Sequence, residues 1–585
     1  MAIVSSTITT LLSFFPLTQL GGGPGLFLMS LPLTVIFTLV ISLVLALSFS
    51  PIMSNWILSN KKHKPSVADK SFSWLSQKAY APALRWAIRW RWLVVFAAVL
   101  LTVFCIRLFP AIGVSFFPTA DKPLLLIDIE TNKGASIAAT DEVVRDIESM
   151  LDTMDYVKDY TANTGNGNPQ VYYNRFPAST RSNRGQILVN FKYWDQARFY
   201  KTIGDLRNSF YDYPGAEITL EELKNGAPVN APIEIRLIGQ NLDSLKSIAD
   251  RVEGILDATD DVINITNPLS RKTIQLKVEL DKAKAGLLNV AQVDFDRTVR
   301  ASFNGLTIDK INLGDDTDYN LVVRIPFDEA PNLEDFYKIY VANRLGAPIP
   351  LHHIAKIRFE AGLSSFRHYD LKRYVGVTGS LNNLDNTISK TVDVIDELDK
   401  MDWPQGYTYM IGGEYEEQQS TFGSLAIILI LAQIGIFAVL VLQFRSIRQP
   451  FIVFAAIPLA ISGSFLALYI TGWPFSFFAF VGLISLIGIV VNNSIILVDY
   501  TNQLRLSGMS LEEAVVEGAS TRLKPIILTT LTTILGLIPL TLQATNQWSP
   551  LCWTIIGGMI SSTILTLFVV PILYKWWTKD QLDID

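Results

Sequence analysis

Residues Ile3–Thr18 read IVSSTITTLLSFFPLT, and residues Ile526–Thr541 read IILTTLTTILGLIPLT. The two stretches are identical at Ile3, Thr7, Thr9, Thr10, Leu12, Pro16, Leu17 and Thr18. A second match follows each: Pro51-Ile52 then Trp56 parallels Pro571-Ile572 then Trp576. Chance likeness between threonine-rich apolar helices does not account for a shared Thr-x-Thr-Thr, a shared Pro-Leu-Thr and an equivalent Pro-Ile beyond. The chain therefore reads as a parallel internal repeat, a common way of building membrane transporters. On this reading it opens with the last two spans of one unit. A whole second unit follows: one span, a large polar block and five spans. A complete molecule is then expected to have four further spans and a second outside domain ahead of Met1, supplied in cis or in trans.

Composition agrees with a membrane protein. Of 585 residues, 49% are hydrophobic and 18% charged, and the mean hydropathy is +0.30. Such a balance is too apolar for an ordinary soluble chain. Apolar runs long enough to cross a bilayer core lie near 3–20, 30–50, 92–109, 422–443, 450–471, 475–499, 525–543 and 552–574, an expected eight helices. The net charge of -5 gives no sign of a nucleic-acid partner. Cys105 and Cys552 sit in apolar runs, against a disulfide framework. His63, His352, His353 and His368 lack metal-ligand spacing, and on a strand His352 and His353 would point opposite ways. The start lacks the basic region of a signal peptide.

Basic residues fix the orientation. Lys61, Lys62, Lys64, Lys70, Lys78, Arg85, Arg89 and Arg91 follow the second span. Arg445 and Arg448 follow the fourth, and Arg505, Arg522 and Lys524 follow the sixth. The alternate short loops hold no Lys or Arg. All basic loops thus fall on one side, the cytoplasm, which puts the block 113–420 outside. Trp74, Trp86, Trp90 and Trp92 among the basic residues of 72–92 suggest a helix lying on the inner leaflet.

The outside block reads as α+β. Leu124–Glu130, Ser136–Thr153, Tyr156–Ala162, Gln186–Tyr193, a helix near 198–210 and Ala216–Leu223 give β-α-β-β-α-β, the split βαβ pattern. The pattern restarts with Ile233–Ile238, Leu242–Leu256 and Val262–Asn267. It resumes after an insertion with Tyr374–Gly379, Ile388–Leu398 and Tyr407–Ile411. The expected fold is a membrane α-helical bundle carrying two ferredoxin-like units with an inserted subdomain. Its divisions are 1–52 (two spans), 53–91 (cytoplasmic loop and interfacial helix), 92–112 (one span), 113–226 (first unit), 227–282 with 354–415 (second unit), 283–353 (insertion), 422–577 (five spans) and 578–585 (tail). Aromatics near the Thr161–Asn168 loop, above all Tyr160, Tyr172 and Tyr173, could line a pocket for amphiphiles; equally they could be ordinary core or surface residues. No P-loop, nucleophile triad or metal motif occurs, so neither cofactor nor enzyme chemistry is expected.

Several stretches together carry a family likeness. Phe116-Phe117-Pro118 follows the third span. Gly412-Gly413-Glu414 with Glu417-Gln418 precedes the fourth, and Phe444-Arg445-Ser446-Ile447-Arg448-Gln449-Pro450 follows it. Gly488-Ile489-Val490-Val491-Asn492-Asn493 runs to Leu497-Val498-Asp499-Tyr500, and Arg522-Leu523-Lys524-Pro525-Ile526 to Thr529-Thr530. The chain resembles the resistance-nodulation-division transporters, hydrophobe/amphiphile efflux branch, from their fifth to their twelfth span. The resemblance implies a secondary active, proton-driven antiporter in the bacterial inner membrane. It implies a homotrimer working with a periplasmic adaptor protein and an outer-membrane channel. The insertion would be half of a docking region. In that family paired aspartates on the fourth span carry the proton, and that span is not in this chain. A lysine on the tenth span pairs with them; here Asn492 stands at that position, and an amide can hydrogen-bond a carboxylate without neutralising it. Asn492, Asn493 and Thr529 are then expected only to support the relay. A metal exporter would want methionines or acidic clusters along the path, and a lipid exporter or a protein-export accessory would lack the Gly412–Glu414 and Phe444–Pro450 signatures. An inactive or split-gene fragment is a further alternative.

Overall fold

The computed structural model describes residues 2–57, 67–177, 179–270, 273–314, 317–326, 333–362, 367–382 and 386–578. Lys61, Lys62, His63, Lys64 and the tail 579–585 lie outside them. Among the described residues, seven helices are long and apolar enough to cross a membrane: Ser30–Ile57, Arg91–Ile112, Gly413–Phe444, Arg448–Thr471, Phe477–Leu506, Leu511–Leu542 and Trp548–Trp577. The first expected span departs from the rest. It is an α-helix over Ala2–Phe14 continued by a 3-10 helix over Phe15–Gln19. Pro16 has no N–H to give and falls in the first turn of the 3-10 segment. At about 1.5 Å per α residue and about 2 Å per 3-10 residue, the two pieces together run roughly 30 Å. The count of seven or eight spanning elements rests on this broken helix. Its repeat counterpart, Pro539, lies inside the unbroken Leu511–Leu542 helix.

The bundle is organised around Phe477–Leu506, in which 72% of the most apolar window is buried; in Ser30–Ile57 the share is 6%. The central helix starts at Ser476, whose Oγ accepts from the Ala479 N–H at 3.2 Å. Leu511–Leu542 starts at an N-cap serine: Ser510 Oγ accepts from Glu513 N–H and donates to Glu513 Oε2. The Ala2–Phe14 helix crosses the central one at Gly488. A Cβ there would lie 2.4 Å from Ser13 Oγ and 3.3 Å from Thr10 Cγ2, so any larger residue must displace the Ser13 hydroxyl and press on Thr10.

The first unit of the polar block contains β1 (Leu124–Thr131), β2 (Val157–Thr164), β3 (Arg184–Phe191) and β4 (Ala216–Glu222), antiparallel in the order β2-β3-β1-β4. Helices Ile137–Asp152 and Gln196–Phe210 cover one face. Strand alternation decides which side chains go there. Leu125, Ile127 and Ile129 pack on Val144, Ile147, Ile203 and Leu206, while Asp128 and Glu130 point to the other face. The second unit joins Ile233–Ile238, Val262–Thr266, Lys372–Leu381 and Thr408–Gly412 in one sheet with a short strand, Arg367–Tyr369. Leu242–Ala258 and Thr387–Leu398 pack on it. At the base of the insertion, Thr273–Leu280 pairs with Ala355–Gly362, and an exposed hairpin, Leu306–Asn312 with Asp318–Val323, extends from it. His352 and His353 are not on a strand. They lie in the helical turn Leu351–Ile354, where their rings meet edge to face at 4.3 Å.

Candidate functional site

A cleft of about 270 Å³ opens between the two units. The helix-free face of the first sheet forms one wall, with Asp128, Glu130, Glu217, Thr219 and Glu221. The second unit contributes Asn264, Thr266, Thr378 and Ser380, and the segment 224–232 closes the base. This wall is polar because the apolar residues of the same strands are spent on the helices behind. The register pairs Leu126 with Glu221 and Asp128 with Thr219, so Asp128 and Glu221 are diagonal neighbours on one face.

Several acids of the cleft have partners. Arg175 meets Glu221 at 2.7 Å and Arg207 meets Glu222 at 3.3 Å. Gln186 Nε2 donates to Asp128 Oδ1 at 2.8 Å. Burial still pushes the Asp128 carboxyl above its usual range, against the Gln186 hydrogen bond and the pull of Arg184 and Arg175. Glu221 is raised for the same first reason, opposed by Arg175 and Arg184 and reinforced by Asp128. Glu222 is also raised by burial, although Arg207 and Lys224 pull it down.

The base of the cleft is tied to the membrane helices. Lys224 pairs with Glu414 in the first turn of Gly413–Phe444, with side chains only 15% and 6% exposed. Arg236 holds Glu234 at 3.0 Å and Glu416 at 2.9 Å. Gly226 has φ +101, and a Cβ on it would enter the Phe117 ring at 2.1 Å. Phe117 packs in turn on Phe477 and Phe27. The central helix, the short helix Gly22–Leu28 ahead of the second span and the cleft base thus share one aromatic cluster.

The three tyrosines singled out in the sequence do not converge. Tyr160 sits on β2, at the opposite edge of the sheet from β4, and its hydroxyl donates to Asp152 at 2.9 Å. Tyr172 and Tyr173 brace the cleft base. Tyr172 Oη donates to Asn225 Oδ1 at 2.9 Å, and Tyr173 Oη accepts from the Gly226 N–H at 2.6 Å. The Tyr173 ring stacks on Phe27 at 5.4 Å. Burial moves the Tyr172 phenol up to about 12. The carboxylates and arginines that do line the cleft were missed; their signal was the polar alternate set of β1 and β4.

Within the membrane helices, Asn492 and Asn493 are half-buried. Asn492 Oδ1 is buried and has no hydrogen-bond donor among the described residues. The same holds for Gln433 Oε1 on Gly413–Phe444. Thr529 faces outward and its hydroxyl donates to Ile526 O at 2.9 Å. Its neighbour Thr530 is buried and shares a 2.7 Å hydrogen bond with Thr563. Toward the end of the central helix a second polar set spans three helices. Ser5 Oγ donates to Gln443 Oε1 at 2.5 Å, Gln443 Nε2 to Asp499 Oδ1 at 3.5 Å, and Gln503 Nε2 to Asp499 Oδ2 at 2.7 Å. The Arg522 guanidinium lies over the Tyr500 ring at 4.6 Å. Gln433 and Gln443 were legible as amides in an otherwise apolar run; what they face was not.

The swarming motility protein SwrC of Bacillus subtilis (strain 168) is 26% identical over 592 residues, covering 99% of this chain and 54% of that protein. The multidrug resistance protein MdtC of Klebsiella pneumoniae (strain 342) is 26% identical over 598 residues, 99% of this chain and 56% of that protein. The chain spans about half the length of the curated relatives it matches. Crystal forms I and II of a heavy metal efflux pump share the fold, each with a TM-score of 0.74 at 22% identity over 98% of this chain and 57% of that chain. The profile of the AcrB/AcrD/AcrF family matches residues 1–577, and with the repeat, the helix bundle and the paired units already in view, the chain belongs to this family of resistance-nodulation-division permeases.

Proposed function

We propose that the chain supplies the carboxy-terminal part of a permease that exports amphiphilic compounds, drugs among them, across the cell envelope at the expense of the proton-motive force. One observation carries this: the cleft between the two units is joined through Lys224 and Glu414 to a membrane helix. A change of occupancy in the cleft and a change of charge state in the bilayer therefore act on one rigid element, Gly413–Phe444. We read the two units as ferredoxin-like porter subdomains, lying outside the inner membrane by the basic-loop rule. The insertion is read as a docking surface for an adaptor protein and an outer-membrane channel, in a homotrimer.

Asn492, Asn493 and Thr529 take supporting places in proton coupling. The buried Asn492 oxygen is an acceptor in want of a donor, and a protonated carboxyl from a helix outside this chain would supply one. Amphiphiles are preferred to metal ions on the likeness to the multidrug resistance protein MdtC and because the nine methionines do not cluster in the polar block.

The test is ethidium efflux in a host stripped of its own pumps. This chain alone is expected to confer none. Supplied with a segment carrying the remaining helices and an adaptor–channel pair, it is expected to give efflux that a protonophore abolishes. Robust protonophore-sensitive efflux from this chain alone would contradict the assignment of the charge carriers. Loss of zinc or copper tolerance without any effect on dyes would favour a metal exporter.

A further inference from the structure

Ahead of the Arg91–Arg107 helix lies one amphipathic rod: Val67–Trp74, a π turn over Leu75–Tyr80 and Ala81–Arg89. One side is fastened to the bundle. Asp69 pairs with Lys524 at 2.5 Å. Ser76 Oγ donates to Ser520 O at 2.8 Å, and the buried Tyr80 hydroxyl donates to Leu567 O at 2.5 Å. Leu84, Ala87 and Ile88 are buried beside them.

The other side is bare and carries one sign of charge. Lys78, Arg85, Arg89 and Arg91 are exposed and make no ion pair among the described residues. No carboxylate occurs in the sequence between Asp69 and Asp121. Trp74, Trp86 and Trp90 are more than half exposed between these cations. The face runs straight into an apolar membrane helix of mean hydropathy 2.5, so it sits where that helix leaves the bilayer. Indole rings favour this depth, and clustered cations at it attract acidic lipid. Exposed indoles interleaved with cations suit a headgroup layer better than the surface of a soluble protein partner.

We propose that the Lys78–Arg91 face binds the headgroups of anionic phospholipids in the leaflet it borders. The fastened side holds the rod in place, so the cations are presented as a fixed array instead of a flexible tail. The proposal does not depend on the transport reading, and its readout is a lipid preference, not efflux.

The full chain is placed in nanodiscs of phosphatidylcholine containing either brominated phosphatidylglycerol or brominated phosphatidylcholine at equal mole fraction, and tryptophan emission is recorded. Brominated phosphatidylglycerol is expected to quench more strongly. Each single change among K78Q, R85Q, R89Q and R91Q is expected to lower the phosphatidylglycerol enrichment by up to roughly fivefold, and the fourfold variant to abolish it. Circular dichroism confirms that the helix content is kept. High salt on the unaltered chain should shrink the preference without any substitution. Equal quenching by the two lipids in the unaltered chain, or a preference indifferent to salt, would overturn the proposal and leave the face to a protein partner.

Discussion

Four carboxylates of the cleft and two amides of the membrane core are treated in opposite ways. In the cleft Glu221, Glu222 and Glu414 each meet a cation, and Asp128 an amide. In the membrane core two amide oxygens, on Asn492 and Gln433, are buried with no donor among the described residues. A satisfied network holds a shape; an unsatisfied acceptor in a low-dielectric setting is costly and marks a place where something is still to bind. The carboxylates named in the cleft are thus held in place, although Asn174 Oδ1 and Arg207 Nε on its lining are, like the two membrane amide oxygens, buried without a partner among the described residues.

The largest effect expected from breaking this contrast is at Lys224. Lys224→Met leaves Glu414 buried and unpaired, and should cost about 3–5 kcal/mol. Thermal unfolding in detergent measures it. The double replacement Lys224→Met with Glu414→Leu should recover most of the loss, because no lone charge remains. Were the single and double variants equally damaged, the pair would not be the link between cleft and helix.

Next comes Gly488. Gly488→Ala places a methyl against Ser13 Oγ and should cost about 1–3 kcal/mol by forcing two helices apart. Ser13→Gly in the same chain should return part of it. A neutral Gly488→Ala would mean that the Ala2–Phe14 helix does not cross as closely as described.

Asn492 should behave in the opposite sense to Lys224. Asn492→Leu removes an unpaired buried amide, and the isolated chain should hold or gain stability by up to about 1 kcal/mol. Transport by the assembled pump should nonetheless fail. Destabilisation of the isolated chain would show that the amide already has its partner.

The smallest effect concerns Asp128. Burial raises its carboxyl in the folded protein. Its ionised form is therefore disfavoured by folding; the stability gained with the neutral form is present at low pH and lost as pH rises through the raised value. Asp128→Asn keeps the oxygen that Gln186 uses and should raise Tm slightly at neutral pH. The gain should vanish on acidification. A Tm difference that stays the same across that range would remove burial as the cause.

Much of the fold was legible because two simple periods govern it. Leu124–Glu130 reads as a strand, and in the structure its Leu125, Ile127 and Ile129 are fully buried. Val144, Ile147 and Leu151 on one helical face pack against them. The same alternation also names the cleft wall, but it cannot say that a second unit stands opposite. The aromatic reading of Tyr160, Tyr172 and Tyr173 separated for that reason: proximity in sequence to one loop says nothing about which sheet edge each side chain meets. Pro16 shows a further limit. The apolar run 3–20 carries no mark of where the α-helix tightens, beyond a proline whose repeat counterpart is accommodated inside a helix. The ion pairs Lys224–Glu414 and Arg236–Glu416 join residues far apart in the chain, so no local pattern could announce them.

The account depends most on an outward-facing cleft that takes up amphiphiles. Thr219 lines that cleft, and both native cysteines are buried. The measurement is therefore the rate at which a membrane-impermeant maleimide labels Thr219→Cys in intact spheroplasts, with and without ethidium. Prompt labelling from outside, slowed by the dye, is the predicted result. Labelling that appears only after the membrane is opened, or a rate indifferent to every amphiphile tried, would contradict it.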